Sequence, residues 1–380
     1  MPIDLHSGAY GIFRDAFRKF VSVEILPYYE EWEAAGSVPR SAWKKCGENG
    51  FLCPWADEKF GGSGADFGYS AIMGEELAWA GAQMLFVLHS DIVVPYIGEF
   101  GSEEQKSKWL PGCTSGDVIC AVAMTEPDAG SDLASIRTVA VKDGDHYIIN
   151  GVKTLISSGA TCDLAIVACK TDPNANPPHK GVSLILVEDG RKGFIKGRKL
   201  LKMGLRSQDT SELFFEDCRV PQSNLLGVEG SGFKYLMMKL QQERLVNVIM
   251  AQCMAERILK YTIEYCKGRN IFGKPISEHQ HNMFKIAEMA TEIELGRVFV
   301  DELITAHVGK RNINKRAAMA KFWIAEMANR VAYHCLQLHG GYGYIEDYPI
   351  CRDFKDVRIQ TIWAGTSEVM KTIIAREVGI

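Results

Sequence analysis

The sequence predicts a multidomain α+β protein in three parts: a helical domain over residues 1–118, a central β-domain over 119–230 and a second helical domain over 231–380. Two patterns carry this reading. Apolar residues recur at helical spacing near both ends of the chain, and the middle is filled by short β-rich runs between turn residues. Because helices and strands are segregated along the chain and do not alternate, a doubly wound parallel sheet is not expected. The 380 residues suggest two or three domains at about 150 residues each, with cores large enough to need no disulfide or metal staple.

The first helical region runs from Tyr10 to about Cys120. Ile12, Phe13, Phe17, Phe20 and Val21 are spaced by three and four, and Ile72, Glu75, Glu76 and Leu77 continue the pattern beyond a Gly-rich loop from Lys59 to Asp66. The strand-like runs are Val118–Ala123, Arg137–Lys142, Tyr147–Ile149, Leu164–Lys170, Val182–Val187 and Glu212–Phe215. Asp143-Gly144 and Asn150-Gly151 stand where hairpin turns are expected, and Pro173, Pro177 and Pro178 mark a polar surface loop. The helical period resumes with a very long stretch, Phe233 to Cys266, that is apolar on nearly every side and therefore expected to be buried.

Composition narrows the function. Lys+Arg 43 against Asp+Glu 47 gives a net charge of -4, which makes nucleic acid and anionic membrane poor partners. No apolar run reaches the roughly 18 residues of a membrane span, and the first residues lack signal-peptide order. The expected location is the cytoplasm of a bacterium, or the mitochondrial matrix if a transit peptide was removed. Eleven cysteines without a C-x-x-C pair favour reduced, buried thiols, and no metal site is expected.

Four segments could carry chemistry. Gln241-Gln242-Glu243-Arg244 interrupts the long apolar helix and spans more than one turn; it is either a surface strip with local Glu–Arg pairing or a buried base beside a cationic anchor. Met124-Thr125-Glu126-Pro127-Asp128-Ala129-Gly130-Ser131-Asp132 follows a strand and is dense in hydroxyls and small residues, which suits close approach of a polar ring or phosphate as well as an ordinary turn. Leu338-His339-Gly340-Gly341 reads as a helix C-cap. Trp363-Ala364-Gly365-Thr366-Ser367-Glu368 precedes a helix from Val369 to Glu377, either as a phosphate-binding N-terminus or as a Thr/Ser cap.

Taken in order, these segments resemble the acyl-CoA dehydrogenase family of flavoenzymes. The resemblance covers essentially the whole chain, through Met124-Thr125-Glu126-Pro127 with Ala129-Gly130-Ser131-Asp132, Asn150-Gly151 with Lys153 and Ile156-Ser157, Arg269 with Phe272-Gly273-Lys274-Pro275-Ile276, Glu278-His279-Gln280, Gln337 with Gly340-Gly341 and Gly343, and Gly365-Thr366-Ser367-Glu368. The family fold is an N-terminal α-helical domain, a central β-domain and a C-terminal four-helix-bundle-like α domain, which agrees with the order read above. The resemblance implies FAD as cofactor, an acyl-CoA thioester as substrate, an electron-transferring flavoprotein as acceptor and a homotetramer in which neighbouring chains share the cofactor.

It also assigns roles. Val122, Met124, Thr125, Gly130 and Ser131 match flavin contacts, with Ser131 also near CoA; Ser157 matches the hydroxyl beside the hydride-accepting nitrogen. Arg269, Phe272 and Gln280 match contacts to the FAD diphosphate and adenine, Gln337, Gly340 and Gly341 contacts to a neighbour's FAD, and Thr366 and Glu368 complete the cofactor site. Two positions depart from the common pattern. Ala364 stands where many members carry the catalytic glutamate before Gly-Thr. The long-chain and isovaleryl branches instead carry it on the long helix beside an Arg, as Glu243-Arg244 does here, so Glu243 is the expected base. Leu155 replaces the usual aromatic at the flavin edge. Gln241, Arg244, Ala364 and Gly365 are then expected at the substrate, Ala364 through its backbone N–H. Asp91, in an apolar helical stretch, is either structural, satisfied by Ser90 or a backbone donor, or a second base suited to a cyclic or already unsaturated acyl-CoA. A non-catalytic FAD-binding partner protein is the reading from another class.

Overall fold

A computed structural model describes residues 2–83 and 85–380. The N-terminal helices are α1 (Gly8–Phe20), α2 (Tyr29–Ala35), α3 (Arg40–Glu48), α4 (Phe67–Ala80), a short α5 (Leu85–Val87), α6 (Val94–Phe100) and α7 (Glu103–Ser115). The spacing of Phe13, Phe17 and Phe20 turns one face of α1 onto Phe51, with the Phe17 and Phe51 rings edge-on at 4.9 Å. α7 opens on a capping box between Ser102 and Gln105 and stops at Gly116, whose φ of 79° is left-handed. Between α5 and α6 the chain widens into a π-helical turn, Leu88–Val93, which carries Asp91. Pro95 has no N–H for the carbonyl of Asp91 four residues earlier. That carbonyl instead accepts from Gln242 Nε2 at 2.6 Å, tying the turn to the long helix of the C-terminal domain.

The central sheet has seven strands: β1 (Cys120–Ala123), β2 (Val139–Asp143), β3 (His146–Ser157), β4 (Leu164–Lys170), β5 (Val182–Glu188), β6 (Phe194–Lys199) and β7 (Thr210–Pro221). Their order is β1-β4-β2-β3-β7-β6, with β5 also on β4. β1 and β2 run parallel to β4 and the other pairs are antiparallel. β4 is buried on both faces: Leu164, Ile166 and Ala168 join the large interdomain core, whereas Ala165, Val167 and Cys169 join a core inside the β-domain. This explains why it reads as a continuous apolar run.

Three details differ from the sequence reading. Asn150-Gly151 is not a turn. It lies inside β3, where Asn150 pairs with Val139 and the register against β7 shifts between Ile149 and Gly151. The glycine is needed for close approach, because a Cβ there would sit 2.4 Å from Thr138 Oγ1. The strand at Phe194–Lys199 was not foreseen, since its Lys196-Gly197-Arg198-Lys199 end lacks an apolar alternation. The first helical region ends at Ser115, before Cys120.

The C-terminal part contains α8 (Gly232–Gly268), a small hairpin of β8 (Asn270–Ile271) and β9 (Lys274–Pro275), then α9 (Gln280–Val308), α10 (Asn314–His339), α11 (Pro349–Val357) and α12 (Ser367–Glu377). At 37 residues, α8 is about 55 Å long, and it packs on α4, α9 and α10. All eleven cysteines are free thiols, and all but the half-buried Cys351 are buried. Among the described residues no helix is long and apolar enough to cross a membrane.

Candidate active site

The polar block of α8 is not a surface strip. Gln241 Oε1 accepts from Ile313 N at 2.9 Å, Gln242 bridges the Asp91 carbonyl and His307, and Arg244 is buried with Nη1 donating to Asn314 Oδ1 at 3.3 Å. These three side chains are thus spent on different neighbours of the helix, as consecutive positions pointing 100° apart allow. Glu243 is half-buried as a residue, but its Oε2 is out of solvent and has no hydrogen-bond partner among the described residues. Burial pushes its carboxyl up to about 7, against the opposing positive charges of Arg244 and Lys321.

Lys321, fully buried on α10, was missed by the sequence reading. Its Nζ donates to the Gly365 carbonyl at 2.6 Å, and burial, reinforced by the charge of Arg244, pulls its ammonium down to about 8. The signal available was a single lysine inside the apolar run Ala317–Ala325. The turn it holds is unusual, with Ala364 at φ 52° and Gly365 at φ 93°. A left-handed alanine is costly, and only a turn fixed from outside keeps it. Behind it Trp363 Nε1 donates to Gln360 Oε1 at 3.2 Å. Ahead of it Thr366 Oγ1 accepts from Val369 N at 3.3 Å and caps α12, and Ser367 donates to Glu326 at 2.6 Å. The plain cap expected for Thr366 is therefore present, and Glu368 is exposed in the first turn.

The loop after β1 is held by a buried ion pair. Lys153 Nζ, 0% exposed on its side chain, donates to Glu126 Oε1 at 2.8 Å and to the Met124 carbonyl at 3.0 Å. Glu126 Oε1 also accepts from Thr138 N at 2.9 Å, and its Oε2 accepts from Arg137 N. Thr154 N donates to the Thr125 carbonyl at 3.0 Å, so β3 supports the loop along its length. Val122, Met124 and Thr125 are half-buried, Gly130 and Ser131 exposed. In β3 the register shifts again between Lys153 and Ile156, and Leu155 is thrown out at φ 58° with 62% exposure, two residues before half-buried Ser157. Asp91 is 1% exposed; its Oδ1 accepts from Ser70, not from Ser90 or a backbone donor as expected, and Ser90 Oγ accepts from Cys53 N. Its Oδ2 is without a partner among the described residues, and burial raises the carboxyl to about 7.

A second group lies at the far end of α8. Phe272 tips the β8–β9 hairpin at φ 49° and is 96% exposed, the Arg269 guanidinium sits 5.8 Å from the Tyr342 ring, and Tyr265 Oη donates to the His339 carbonyl. Gln280, Gln337, Gly340 and Gly341 are exposed beside them, at the start of α9 and the end of α10. The 25 helical residues between Glu243 and Gly268 span about 38 Å.

Three family models cover nearly the whole chain: acyl-CoA dehydrogenase N-terminal domain over residues 10–117, middle domain over 121–218 and C-terminal domain over 230–379. The chain belongs to the acyl-CoA dehydrogenase family. The enzyme is 48% identical to the mitochondrial long-chain specific acyl-CoA dehydrogenase of Sus scrofa over 98% of its own length and 87% of the relative's. It is 36% identical to an acyl-CoA dehydrogenase of Bacillus subtilis (strain 168), with 96% of each chain covered. A crystal structure of an acyl-CoA dehydrogenase from Geobacillus kaustophilus superposes with a TM-score of 0.96 at 57% identity, covering 97% of the enzyme and 98% of that chain. The enzyme is accordingly an oxidoreductase of a flavoprotein family.

The enzyme's residues fit a flavin. The half-exposed Thr125 and Ser157 and the exposed Ser131 leave hydroxyls open to a ligand, on backbone made rigid by the Glu126–Lys153 pair. At Gly340 and Gly341 a Cβ would meet no heavy atom within 4 Å, so that turn is kept open by choice of residue and not by crowding within the chain.

Proposed function

We propose that the enzyme desaturates acyl-CoA thioesters between the α and β carbons, with Glu243 as the base and an electron-transferring flavoprotein as the onward acceptor. The observation that carries this is the carboxyl of Glu243, whose Oε2 is out of solvent and unpartnered among the described residues and which burial raises to about 7. A base of that strength is ionised in part at neutral pH and gains basicity when an acyl chain displaces water. Arg244 and Lys321 limit the rise, so that the carboxylate is not simply kept protonated. The Ala364–Gly365 turn, held by Lys321, presents the Ala364 N–H to the thioester carbonyl, where it stabilises enolate charge as the α-proton leaves. Ala364 has only a methyl group, which leaves room for the carboxylate arriving from α8.

Bound FAD supplies the acceptor for the β-hydride. Thr125, Ser131, Ser157, Leu155 and the backbone from Val122 to Gly130 would hold its ring side, and Thr366 and Glu368 would close the site. Arg269, Phe272 and Gln280 would hold the FAD diphosphate and adenine, and Gln337, Gly340 and Gly341 the FAD of a neighbouring chain. The helix length separating them from Glu243 supports a shared cofactor and a tetramer. So does the apolar face of α9, where Leu295 and Val298 are more than 60% exposed.

The test is anaerobic flavin bleaching by acyl-CoA. Wild-type enzyme should bleach and Glu243→Gln should bind acyl-CoA with its flavin still oxidised, since the amide cannot take the α-proton. Near-normal bleaching by Glu243→Gln would remove Glu243 as the base. A second reading, a cyclic or unsaturated acyl-CoA with Asp91 as an additional base, is supported by the unpartnered Asp91 Oδ2.

A further inference from the structure

α8 carries a second buried polar group on the face of Glu243. Asn247 follows four positions later, hence on the same face and about 6 Å along the axis. It is 3% exposed, its neighbours Leu245, Val246, Val248 and Ile249 are buried, and neither Oδ1 nor Nδ2 has a hydrogen-bond partner among the described residues. Buried amides elsewhere are satisfied at Asn224, which donates to the Leu186 carbonyl at 2.7 Å, and at Gln105, which donates to the Ser223 and Leu225 carbonyls at 2.8 and 2.9 Å, whereas Gln83 shares the unpartnered state of Asn247 among the described residues but does not lie on the face of Glu243. An amide left with both its donor and acceptor unused inside a core is expensive unless something meets it. From α6 comes a second such group. Tyr96 is fully buried, its Oη is unpartnered among the described residues, and the Glu243 charge adds to burial in raising its phenol, which places the ring within electrostatic range of the base.

We propose that Asn247 and Tyr96 form a hydrogen-bonding station in the acyl channel, and that the acyl group this enzyme prefers carries a neutral oxygen substituent, a hydroxyl or a carbonyl, beyond the β-carbon. The inference rests on Glu243 being the α-carbon base, because the register from Glu243 is what puts Asn247 past the reacting carbons. An amide and a phenol can each donate and accept, which matches a hydroxyl or keto oxygen. A carboxylate would call for a free cation, and the two near Glu243 are engaged: Arg244 with Asn314 and Lys321 with the Gly365 carbonyl. On a plain alkyl chain the amide would stay unmatched in the complex, which is how a site built to bond an oxygen rejects the analogue lacking it.

The experiment compares FAD-loaded wild type, Asn247→Leu and Tyr96→Phe on octanoyl-CoA and on octanoyl-CoAs bearing one hydroxyl or one oxo group at successive positions beyond the β-carbon. Bleaching rate and kcat/KM are read for each. Wild type should favour one oxygenated chain by about tenfold or more. Asn247→Leu should lose or invert that preference, with octanoyl-CoA turned over faster than by wild type. Tyr96→Phe, which creates no cavity, should move the ratio the same way by a smaller factor. A wild type that prefers the plain chain, or variants that leave the ratio unchanged, would overturn the proposal. If no acyl-CoA of either kind bleaches the wild-type flavin, the dehydrogenase reading fails and this proposal falls with it.

Discussion

Glu243→Gln should make the enzyme more stable as it makes it inactive, and the gain should depend on pH in one direction. A carboxyl raised from 4.5 to about 7 on folding holds its proton more tightly in the folded state. Between those values the folded chain binds more protons than the unfolded one, so stability falls as pH rises. At about 1.4 kcal/mol per tenfold, the ionised carboxylate costs about 3 kcal/mol above pH 7, and nothing below about pH 4. Glutamine keeps the shape and removes the charge. Thermal unfolding of FAD-loaded wild type and variant, scanned from pH 5 to 8.5 at one scan rate, should show melting points that nearly coincide at the acid end. They should separate by several degrees at the alkaline end, the variant higher. A constant offset across the range, or a variant less stable at pH 8, would refute the assignment of the cost to an ionised, unpartnered Glu243.

Lys321→Met should keep FAD but lower kcat by about ten- to a hundredfold with little change in KM, as expected for loss of one preorganised donor's support. The wild-type profile should rise through about pH 7 as Glu243 ionises and fall past about pH 8 as Lys321 loses its charge; the kcat–pH curve of the variant should lack the second limb. Lys153→Met strands Glu126 in a buried site, and should cost about 3–5 kcal/mol together with loss of FAD, seen in the melting point and in the flavin-to-protein absorbance ratio. Asp91→Asn should slow all substrates by a similar modest factor if Asp91 only shapes the pocket, and should selectively abolish oxidation of an alicyclic or enoyl thioester if it is a base; paired rates on one preparation separate the two. Ala364→Glu combined with Glu243→Gly should restore part of the turnover lost in Glu243→Gly, measured with FAD content matched.

Local pattern was enough for the order of helices, sheet and helices, for the long buried helix and for the free thiols, because spacing by three and four or by two records which face of an element is covered. The link between Glu243 and Ala364 came from the family resemblance and not from local pattern, through motifs far apart in the chain. Asn150-Gly151 misled because a glycine that opens a bulge and a glycine that makes a turn look the same in one strand. Only the facing Thr138, just before the neighbouring strand β2, tells them apart.

What tertiary structure alone decided are the partners. Glu243-Arg244 could have paired locally on a wet surface; packing of α8 against α4, α9 and α10 sends the arginine to Asn314 and leaves Glu243 Oε2 unpartnered among the described residues. Lys153 and Lys321 look like ordinary charges in sequence, and become the supports of the loop after β1 and of the Ala364 turn because the chain buries Lys153 against the Glu126 carboxylate and the Met124 carbonyl, and Lys321 against the Gly365 carbonyl. A residue's type is written in the sequence, but the strength of its charge is set by what water it loses and which opposite charge replaces it, and both depend on elements that meet only in the folded chain.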